Sequence, residues 1–322
     1  MPAIYEHKAW FVNDTPSNIS RDAGLLTQAL LVEYEQIGPD ALVIGVDVYN
    51  LEAEAAGCPV TFYEGDDTSI PGIQPGNHVI KIGDDLTQRP VPNPLRDGRM
   101  PVNIEAARRV VQALQGDVWI RGAISGPFSL AISLVGAEGL FLATLDEPQF
   151  VRGLLAYAGR IIKEFCQAYI DVGADVIMFD SQASPDLLSP EMYREFVLPV
   201  MQDLIGFFND QGLKDVPLII GGNTTRLVDE LIATGANNLL CEFTAYWFQW
   251  LEKVRAKQRA VRRNMNPVFV QNATPQEIYD TARQVIAEAD QYPGFVMGTA
   301  VVPYGTPLEN LLVIKTACHE DD

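Results

Sequence analysis

The chain has 322 residues, of which 48% are hydrophobic, and its 42 acidic and 23 basic residues give a formal net charge of −19. A surface this acidic repels phosphate backbones and anionic lipid, which excludes nucleic acid and membrane surfaces as partners. No apolar run approaches the roughly 20 residues that span a bilayer, and the first ten residues lack the apolar core of a signal peptide. We therefore expect a cytoplasmic protein with an ordinary buried core.

Cysteines and histidines are few and scattered. The cysteines show no C-x-x-C spacing, which argues against a zinc ribbon or a disulfide framework and fits reduced thiols. Two of the three histidines lie near the ends of the sequence, so we do not expect chemistry built on a histidine cluster. The residues concerned are Cys58, Cys166, Cys241, Cys318, His7, His78 and His319.

The first half of the chain predicts two buried strands. Residues 15–39 have the spacing of a helix and lead into a strand over 40–47 that ends in Asp47, with Tyr49 close behind. Residues 58–101 are rich in Pro, Gly and Asp, with short β-like pieces such as 78–82, and we interpret them as an excursion from the core. A helix over 104–114 precedes a second strand over 118–124, which is closed by Ser125-Gly126-Pro127-Phe128. That Gly-Pro turn either lets a ligand approach the backbone or is only a turn.

The third predicted strand gives the strongest indication of a functional site. After helices over 129–170, an apolar run over 176–179 predicts a strand buried on both faces, and it ends in Asp180 and Ser181. Burying a carboxylate without a partner is costly, so an acid here suggests a function. Ser189-Pro190-Glu191 then begins a helix with an N-cap, a proline and an acid in the first turn.

Two further strands end in polar residues. The strand over 216–220 is followed by two glycines and Asn223, which either bind a ligand together or provide a plain helix cap. The strand over 238–243 carries Glu242 near its exit. Four aromatic residues occur within 246–250, and they either wall a flat apolar pocket or pack a helix.

Strands and helices alternate seven or eight times along the chain. Strands over 260–267 and 294–298 complete the series, and capping-box sequences begin helices at Thr274 and Thr306. There is no Gly-rich dinucleotide fingerprint and no P-loop. We therefore predict an α/β fold of the (β/α)8 TIM-barrel type, with residues 1–322 as one domain.

Several of these segments resemble the uroporphyrinogen decarboxylase superfamily, and most of all its corrinoid-dependent methyltransferases. The resemblance extends over nearly the whole chain. It rests on Gly173-Ala174-Asp175 through Asp180-Ser181 and Ser189-Pro190, with Tyr193, Phe196 and Pro199; on Glu54-Ala55 before Gly57; on Ser125-Gly126-Pro127-Phe128 and Gly222-Asn223-Thr224-Thr225; and on Asn264-Met265-Asn266-Pro267 and residues 306–311.

Two departures from the superfamily pattern narrow the expected chemistry. Its decarboxylases carry an arginine-rich N-terminal segment that grips the porphyrinogen, whereas residues 7–13 here contain no arginine. Its thiol-methylating members bind zinc through a His-x-Cys pair and a later cysteine. The corresponding positions here are Ile219, Gly221 and Ala300, which cannot ligate a metal, so zinc is not expected at that site.

The resemblance then implies transfer of a methyl group from a small molecule, with an aryl methyl ether favoured, to a corrinoid on a separate protein. We expect Asp180 and Glu242 to face one pocket and supply a proton to the leaving group. With Asp47 they could instead hold a hard metal, or they could form structural ion pairs with Arg121, Arg262 or Arg263. Asn223 is a further candidate for catalysis, and we expect the donor to contact Asp47, Tyr49, Phe128, Ser181, Tyr246, Trp247 and Tyr304.

Three alternatives stay open at this point. The enzyme could methylate a thiol from a methylated corrinoid, or it could be a decarboxylase-like lyase. It could also be a barrel that binds a corrinoid or tetrapyrrole without chemistry. A homodimer is one option for its assembly.

Overall fold

A curled sheet of seven parallel strands forms the centre of the computed structural model, which describes residues 2–319. Neighbouring strands of this sheet follow one another along the chain, and parallel neighbours require crossover connections, which helices provide here. The architecture confirms the predicted α/β fold of the TIM-barrel type. The strands are β1 (Ala41–Ile44), the short antiparallel pair β2 (Val60–Thr61) and β3 (Gly72–Ile73), β4 (Trp119–Ser125), β5 (Asp175–Phe179), β6 (Pro217–Ile219), β7 (Asn238–Cys241), β8 (Ala260–Met265) and β9 (Phe295–Thr299). The sheet order is β1-β4-β5-β6-β7-β8-β9.

The N-terminal segment lies where a closed eight-stranded barrel would have its eighth strand. Ala3 forms a single parallel bridge with Val301, just beyond β9. A few residues later, the buried ammonium group of Lys8 donates hydrogen bonds to the carbonyl oxygens of Val43 at 2.7 Å and Gly45 at 2.8 Å, at the end of β1. These hydrogen bonds offset the burial of the Lys8 charge. The two edge strands are thus linked by an irregular segment, and no eighth regular strand lies between them within residues 2–319.

Helices surround the sheet, and the predicted helix over 15–39 is divided in two. The Thr274 capping box is present, with side chain and backbone of Thr274 and Glu277 bonded reciprocally. The α-helices are α1 (Lys8–Phe11), α2 (Pro16–Ile19), α3 (Ala23–Ile37), α4 (Leu51–Ala55), α5 (Met100–Leu114), α6 (Pro127–Val135), α7 (Ala137–Asp146), α8 (Pro148–Asp171), α9 (Pro190–Met192), α10 (Leu198–Asp210), α11 (Val228–Ala233), α12 (Trp247–Ala256), α13 (Pro267–Asn272), α14 (Pro275–Glu288) and α15 (Leu308–His319). A π-helical turn (Tyr193–Val197) precedes α10, and a 3-10 turn (Thr224–Leu227) precedes α11.

Strand β5 shows how the core is divided into two layers. Val176 and Met178 belong to the large cluster that the sheet forms with the surrounding helices, whereas Ile177 and Phe179 belong to a smaller cluster inside the barrel. Successive side chains of a strand point to opposite faces. Both faces of this strand are therefore buried, which explains why its sequence is an uninterrupted apolar run.

The excursion over residues 58–101 packs on the outside of two helices. The amides of Val79 and Ile80 donate to the Leu134 carbonyl oxygen of α6, and the Tyr157 hydroxyl of α8 donates to the Pro90 carbonyl oxygen at 2.9 Å. Apart from the β2–β3 pair the segment is irregular, and the predicted β-like piece at 78–82 forms no strand.

Within residues 2–319, no single helix is both long and apolar enough to cross a membrane. The helices α6 and α7 meet that requirement only when taken together, and they are bent by 104° relative to one another.

Candidate active site

A pocket of about 210 Å³ opens at the carboxyl ends of the strands. Residues that follow β1, β5, β6, β7 and β9 line it, together with side chains of β8 that point into the barrel. Active sites of barrels of this type lie at this end, because the loops that follow the strands converge there. We therefore take this pocket as the candidate active site.

Three aromatic rings form one wall of the pocket. The rings of Tyr5 and Tyr49 each meet the ring of Phe179 edge to face, with centroids 5.4 and 5.8 Å apart. Edge-to-face contacts fix aromatic rings relative to one another. The wall is consequently a preformed aromatic surface.

A chain of three polar side chains forms another part of the pocket. The guanidinium Nε of Arg262 donates to Asn264 Oδ1 at 2.9 Å, and Asn264 Nδ2 donates to Glu242 Oε1 at 3.1 Å. Arg262 also donates to the carbonyl oxygen of Thr299 at 2.8 Å. On the neighbouring strand, Gly298 leaves the space that the guanidinium needs, because a Cβ atom at that position would overlap it. The chain thus spans three adjacent strands, β7, β8 and β9.

The environment of Glu242 favours its protonated form. Burial raises the pKa of this carboxyl group, and the hydrogen bond from Asn264, the charge of Arg262 and the backbone amide of Phe243 lower it by less. Its second oxygen, Oε2, is buried and has no hydrogen-bond partner among the described residues. A carboxyl group in this state can hold a proton and offer it to a bound molecule.

Tyr49 and Ser181 complete the polar part of the pocket. Burial raises the pKa of the Tyr49 hydroxyl, the Ser181 side chain lowers it, and the negative charges of Glu6 and Glu242 raise it further. The Tyr49 hydroxyl therefore lies near Ser181 and within electrostatic range of two carboxyl groups, and it stays protonated.

This pocket is lined by the three positions that correspond to the zinc ligands of the thiol-methylating proteins. They are Ile219, Gly221 and Ala300, none of which has a ligating side chain. The pocket instead offers one carboxyl group, one amide and a guanidinium cation, and zinc favours sulfur and imidazole ligands. No group of three or more His, Cys, Asp or Glu side chains within 2–319 has the arrangement to hold a metal ion. The residues present do not fit the zinc site of the family.

The structure places Asp180 outside this pocket, which corrects the expectation that it faces Glu242 there. Its carboxyl oxygens accept hydrogen bonds from the backbone amides of Ser129 at 2.7 Å and Phe128 at 3.4 Å, at the start of α6. Gly126 leaves room for this contact, because a Cβ atom there would overlap Asp180. Burial raises the pKa of Asp180 to about 6, and the amide hydrogen bonds lower it by less. Since Phe179 points into the barrel, Asp180 points toward the helices.

Asp47 and Asn223 also have partners outside the pocket. Asp47 forms a two-pronged ion pair with Arg99, at 2.6 and 2.9 Å, and Arg99 also pairs with Glu54 at 2.7 Å. The side chain of Asn223 caps the 3-10 turn by accepting from the Thr225 amide and hydroxyl. Of the two interpretations of Asn223, the structure shows the cap.

The expected ion pairs of Asp180 and Glu242 with Arg121, Arg262 or Arg263 do not form. Arg121 pairs with Asp215 at 2.6 Å and Arg263 pairs with Glu288, so neither binds Asp180 or Glu242. Arg262 is joined to Glu242 through Asn264.

Besides Asp47, four expected donor contacts do not line the pocket. Phe128 is buried in the helix layer beside Phe141, and the Tyr304 hydroxyl donates to the Asp14 carbonyl oxygen. Trp247 is buried and its indole donates to the Glu288 carbonyl oxygen, whereas Tyr246 is 65% exposed. The aromatic cluster over 246–250 therefore packs helix α12 in part and faces solvent in part, and the pocket interpretation of that cluster is wrong. Of the expected contacts, Tyr49 and Ser181 do line the pocket.

The sequence did not identify Tyr5, Asn264 and Thr299 as site residues, and it indicated Arg262 only as a partner in a structural ion pair. The alternation of Arg262 and Asn264 along β8 was a usable signal, because residues two apart on a strand share a face. Two polar residues on the inner face of a buried strand indicate a site. Tyr5 lies in the irregular N-terminal segment, where no periodic pattern exists to reveal it.

Comparison with known proteins agrees with the fold. Residues 4–320 match the family model described as Uroporphyrinogen decarboxylase (URO-D). A methylated-thiol–coenzyme M methyltransferase of Methanosarcina mazei is 26% identical over 302 residues, which cover 93% of this chain and 77% of that protein. A methylcobamide:CoM methyltransferase of Methanosarcina acetivorans is 26% identical, over 78% of this chain and 71% of that protein. A solved methyltransferase from Methanosarcina mazei has the same fold, with a TM-score of 0.86 at 22% identity, over 99% of this chain and 92% of that one.

Proposed function

The chain belongs to the uroporphyrinogen decarboxylase family, and we propose that it is a methyltransferase that moves a methyl group from a small molecule to a corrinoid on a separate protein. Support comes from relatives named as methyltransferases, one of which is named for methylcobamide. A cytoplasmic location and a single barrel domain are part of the same proposal.

The favoured donor is an aryl methyl ether, and the observation that carries this choice is the state of Glu242. A departing phenolate must be stabilised as negative charge develops on its oxygen. A buried carboxyl group with a raised pKa and one oxygen without a partner can protonate that oxygen. The edge-to-face rings of Tyr5, Tyr49 and Phe179 offer a surface on which a flat donor ring packs.

The residues of this chain would then act in defined ways. The corrinoid, when bound, supplies the nucleophile for the methyl carbon. The methyl–oxygen bond breaks with its electron pair left on the aryl oxygen, and Glu242 donates its proton to that oxygen. The hydroxyl groups of Tyr49 and Ser181 would orient the donor, and the apolar side chains at Ile219 and Ala300 would keep water from the reacting atoms.

A methyl transfer that involves a thiol is the second candidate. The name of the Methanosarcina mazei relative, a methylated-thiol–coenzyme M methyltransferase, favours it. The pocket argues the other way, because no cysteine or histidine is among its lining residues within 2–319. A thiolate would therefore lack the soft cation that lowers its pKa.

A donor panel tests the proposal. The protein is mixed with cob(I)alamin, free or on a corrinoid protein, and with methoxybenzenes such as veratrole, methylamines or methyl thioethers. Formation of methylcobalamin is followed by absorbance. We expect it with methoxybenzenes and release of the phenol in equal amount. Methyl transfer with methyl thioethers alone, or methylation of a thiol from methylcobalamin, would establish the second candidate instead.

A further inference from the structure

We propose that Asn264 is a positioning residue that decides which oxygen of Glu242 carries the proton. The inference deepens the proposed function and rests on it, since it takes Glu242 as the proton donor. It is carried by the hydrogen-bonded chain Arg262–Asn264–Glu242, in which each link limits the next.

The first link fixes the orientation of the Asn264 amide. A guanidinium group has donors and no acceptor, so the atom of Asn264 that faces Arg262 Nε at 2.9 Å must be the carbonyl oxygen. The amino group of the same amide therefore faces Glu242. The oxygen end and the amino end of an amide are nearly equivalent in shape. Without Arg262, either end of the Asn264 amide could therefore point to the carboxyl group.

The second link fixes the proton on Glu242. Because an amide amino group only donates, Oε1 of Glu242 must be the acceptor at 3.1 Å. In a protonated carboxyl group the carbonyl oxygen is the better acceptor, so Oε1 keeps that role and the proton lies on Oε2, a buried oxygen that has no hydrogen-bond partner among the described residues. The oxygen that holds the proton is thus the one that remains for a ligand.

The chain is itself held from the neighbouring strand. Arg262 donates to the Thr299 carbonyl oxygen at 2.8 Å, and the Thr299 hydroxyl accepts from the Ala3 amide at 3.0 Å. Both Arg262 and Asn264 are at least nine-tenths buried, so water does not compete for these bonds. The direction of the hydrogen bonds is therefore set by the barrel rather than by solvent.

The variant Asn264→Asp tests the inference with little change in shape. One carboxylate oxygen would still accept from Arg262, but the other could no longer donate to Glu242. Oε1 of Glu242 would then have to carry the proton to bond it, and the added negative charge would raise the pKa of Glu242 by about 1 unit or more. We expect kcat to fall by about 10²-fold with an unchanged KM for the donor.

The matched control is Asn266→Asp, two residues along the chain. Asn266 is exposed and caps α13 by accepting from the amides of Val268 and Phe269, which a carboxylate does equally well. The same charge change at this position should leave both kcat and the pKa of Glu242 unchanged.

The decisive readout does not need a methyl donor. Infrared difference spectra against pH follow the Glu242 carboxyl band, which is assigned by its absence in Glu242→Gln. In wild type the carbonyl oxygen Oε1 is bonded to Asn264, whereas in Asn264→Asp the carbonyl oxygen becomes Oε2, which has no partner among the described residues. A C=O band of protonated Glu242 that moves to higher frequency in Asn264→Asp and not in Asn266→Asp supports the inference, and an unshifted band overturns it. If the band shifts but the wild-type protein transfers no methyl group, the proposed function fails and the placement of the proton stands.

A second pair of variants covers the case in which Asn264→Asp does not fold, as judged by circular dichroism. Arg262→Gln replaces a pure donor with a group that both donates and accepts, so the amide of Asn264 loses its forced orientation. Arg262→Lys keeps a pure donor. We expect the methyl-transfer rate to fall in the first and to be largely restored in the second, and equal rates in the two would contradict the inference.

Discussion

The β4–β5 side and the β7–β8 side of the barrel mouth each hold a buried carboxyl group, and the two groups are bound in opposite ways. On the first side, Asp180 accepts from the backbone amides of Phe128 and Ser129 and lies outside the pocket. On the second, Glu242 lines the pocket; its Oε1 accepts from the side chain of Asn264, and its Oε2 has no hydrogen-bond partner among residues 2–319. The first acid holds a helix start, and the second is available for chemistry.

The difference follows from strand alternation. Both acids come one residue after the end of a strand, so the same sequence signal marks them. Phe179 faces the inside of the barrel, so Asp180, one residue later, faces the helices, whereas Leu240 and Glu242 are two residues apart and both line the pocket. An acid at a strand exit is a useful signal only together with the face on which the strand places it.

The largest effect that separates the two sides is expected from Glu242→Gln. The amide keeps the shape and can accept from Asn264, but it cannot give up a proton. We expect kcat for methyl transfer from a methoxybenzene to fall by about 10²–10⁴-fold, with the fold intact by circular dichroism. Its matched control is Asp180→Asn, which makes the same chemical change on the other side and should keep the wild-type rate per folded molecule. The comparison breaks if Asp180→Asn loses as much rate as Glu242→Gln.

The next effect in size is expected on stability, from the substitution Asp180→Ala. The substitution leaves the amides of Phe128 and Ser129 buried without an acceptor and removes a negative group from the N-terminus of α6. We expect the free energy of unfolding to fall by about 1–3 kcal/mol, measured by denaturant titration. Glu242→Ala should cost less, because it frees a single side-chain donor. An unchanged stability in Asp180→Ala would mean that the amide contacts do not hold the helix.

The fold was largely predictable because its signals are local. Apolar runs, helix caps and their alternation place seven strands and most helices close to where they lie. The eighth position could not be predicted, because it is filled by single long-range contacts of Ala3 and Lys8 with residues far along the chain. The 78–82 segment has the composition of a strand, but its amides bond the end of α6 instead.

The site was predictable only in part. Glu242, Tyr49 and Ser181 were expected and line the pocket, while Asp180 and the aromatic residues Tyr246 and Trp247 do not. Proximity to a strand exit gives no information on side-chain direction. Trp247 illustrates the limit, because its indole is bound by the Glu288 carbonyl oxygen of α14, a partner 41 residues away.

The last prediction tests the β4–β5 side through the pH dependence of stability. It concerns Glu52, a fully buried acid that accepts hydrogen bonds from the amide and hydroxyl of Ser125. Burial raises its pKa to about 7, above the value of about 4.3 in an unfolded chain. Between these two values the folded state binds a proton that the unfolded state does not, so the Glu52 contribution to stability is complete below about pH 4 and is lost as the pH rises toward 7.

In Glu52→Gln this loss cannot occur. Glutamine is neutral at every pH, and its oxygen and amino group can bond the amide and hydroxyl of Ser125. The stability of the variant relative to wild type should therefore rise between pH 5 and pH 8, by about 1–3 kcal/mol. Denaturant titrations of both proteins at the two pH values measure it. The control is Glu105→Gln, which changes a partly exposed acid whose pKa is lowered by hydrogen bonds from Arg108 and Arg109, and it should show no such rise. A relative stability that is constant or falls between pH 5 and pH 8 would show that Glu52 is already ionised in the folded protein, and the acids on this side would then be held as charges by their amide and hydroxyl partners.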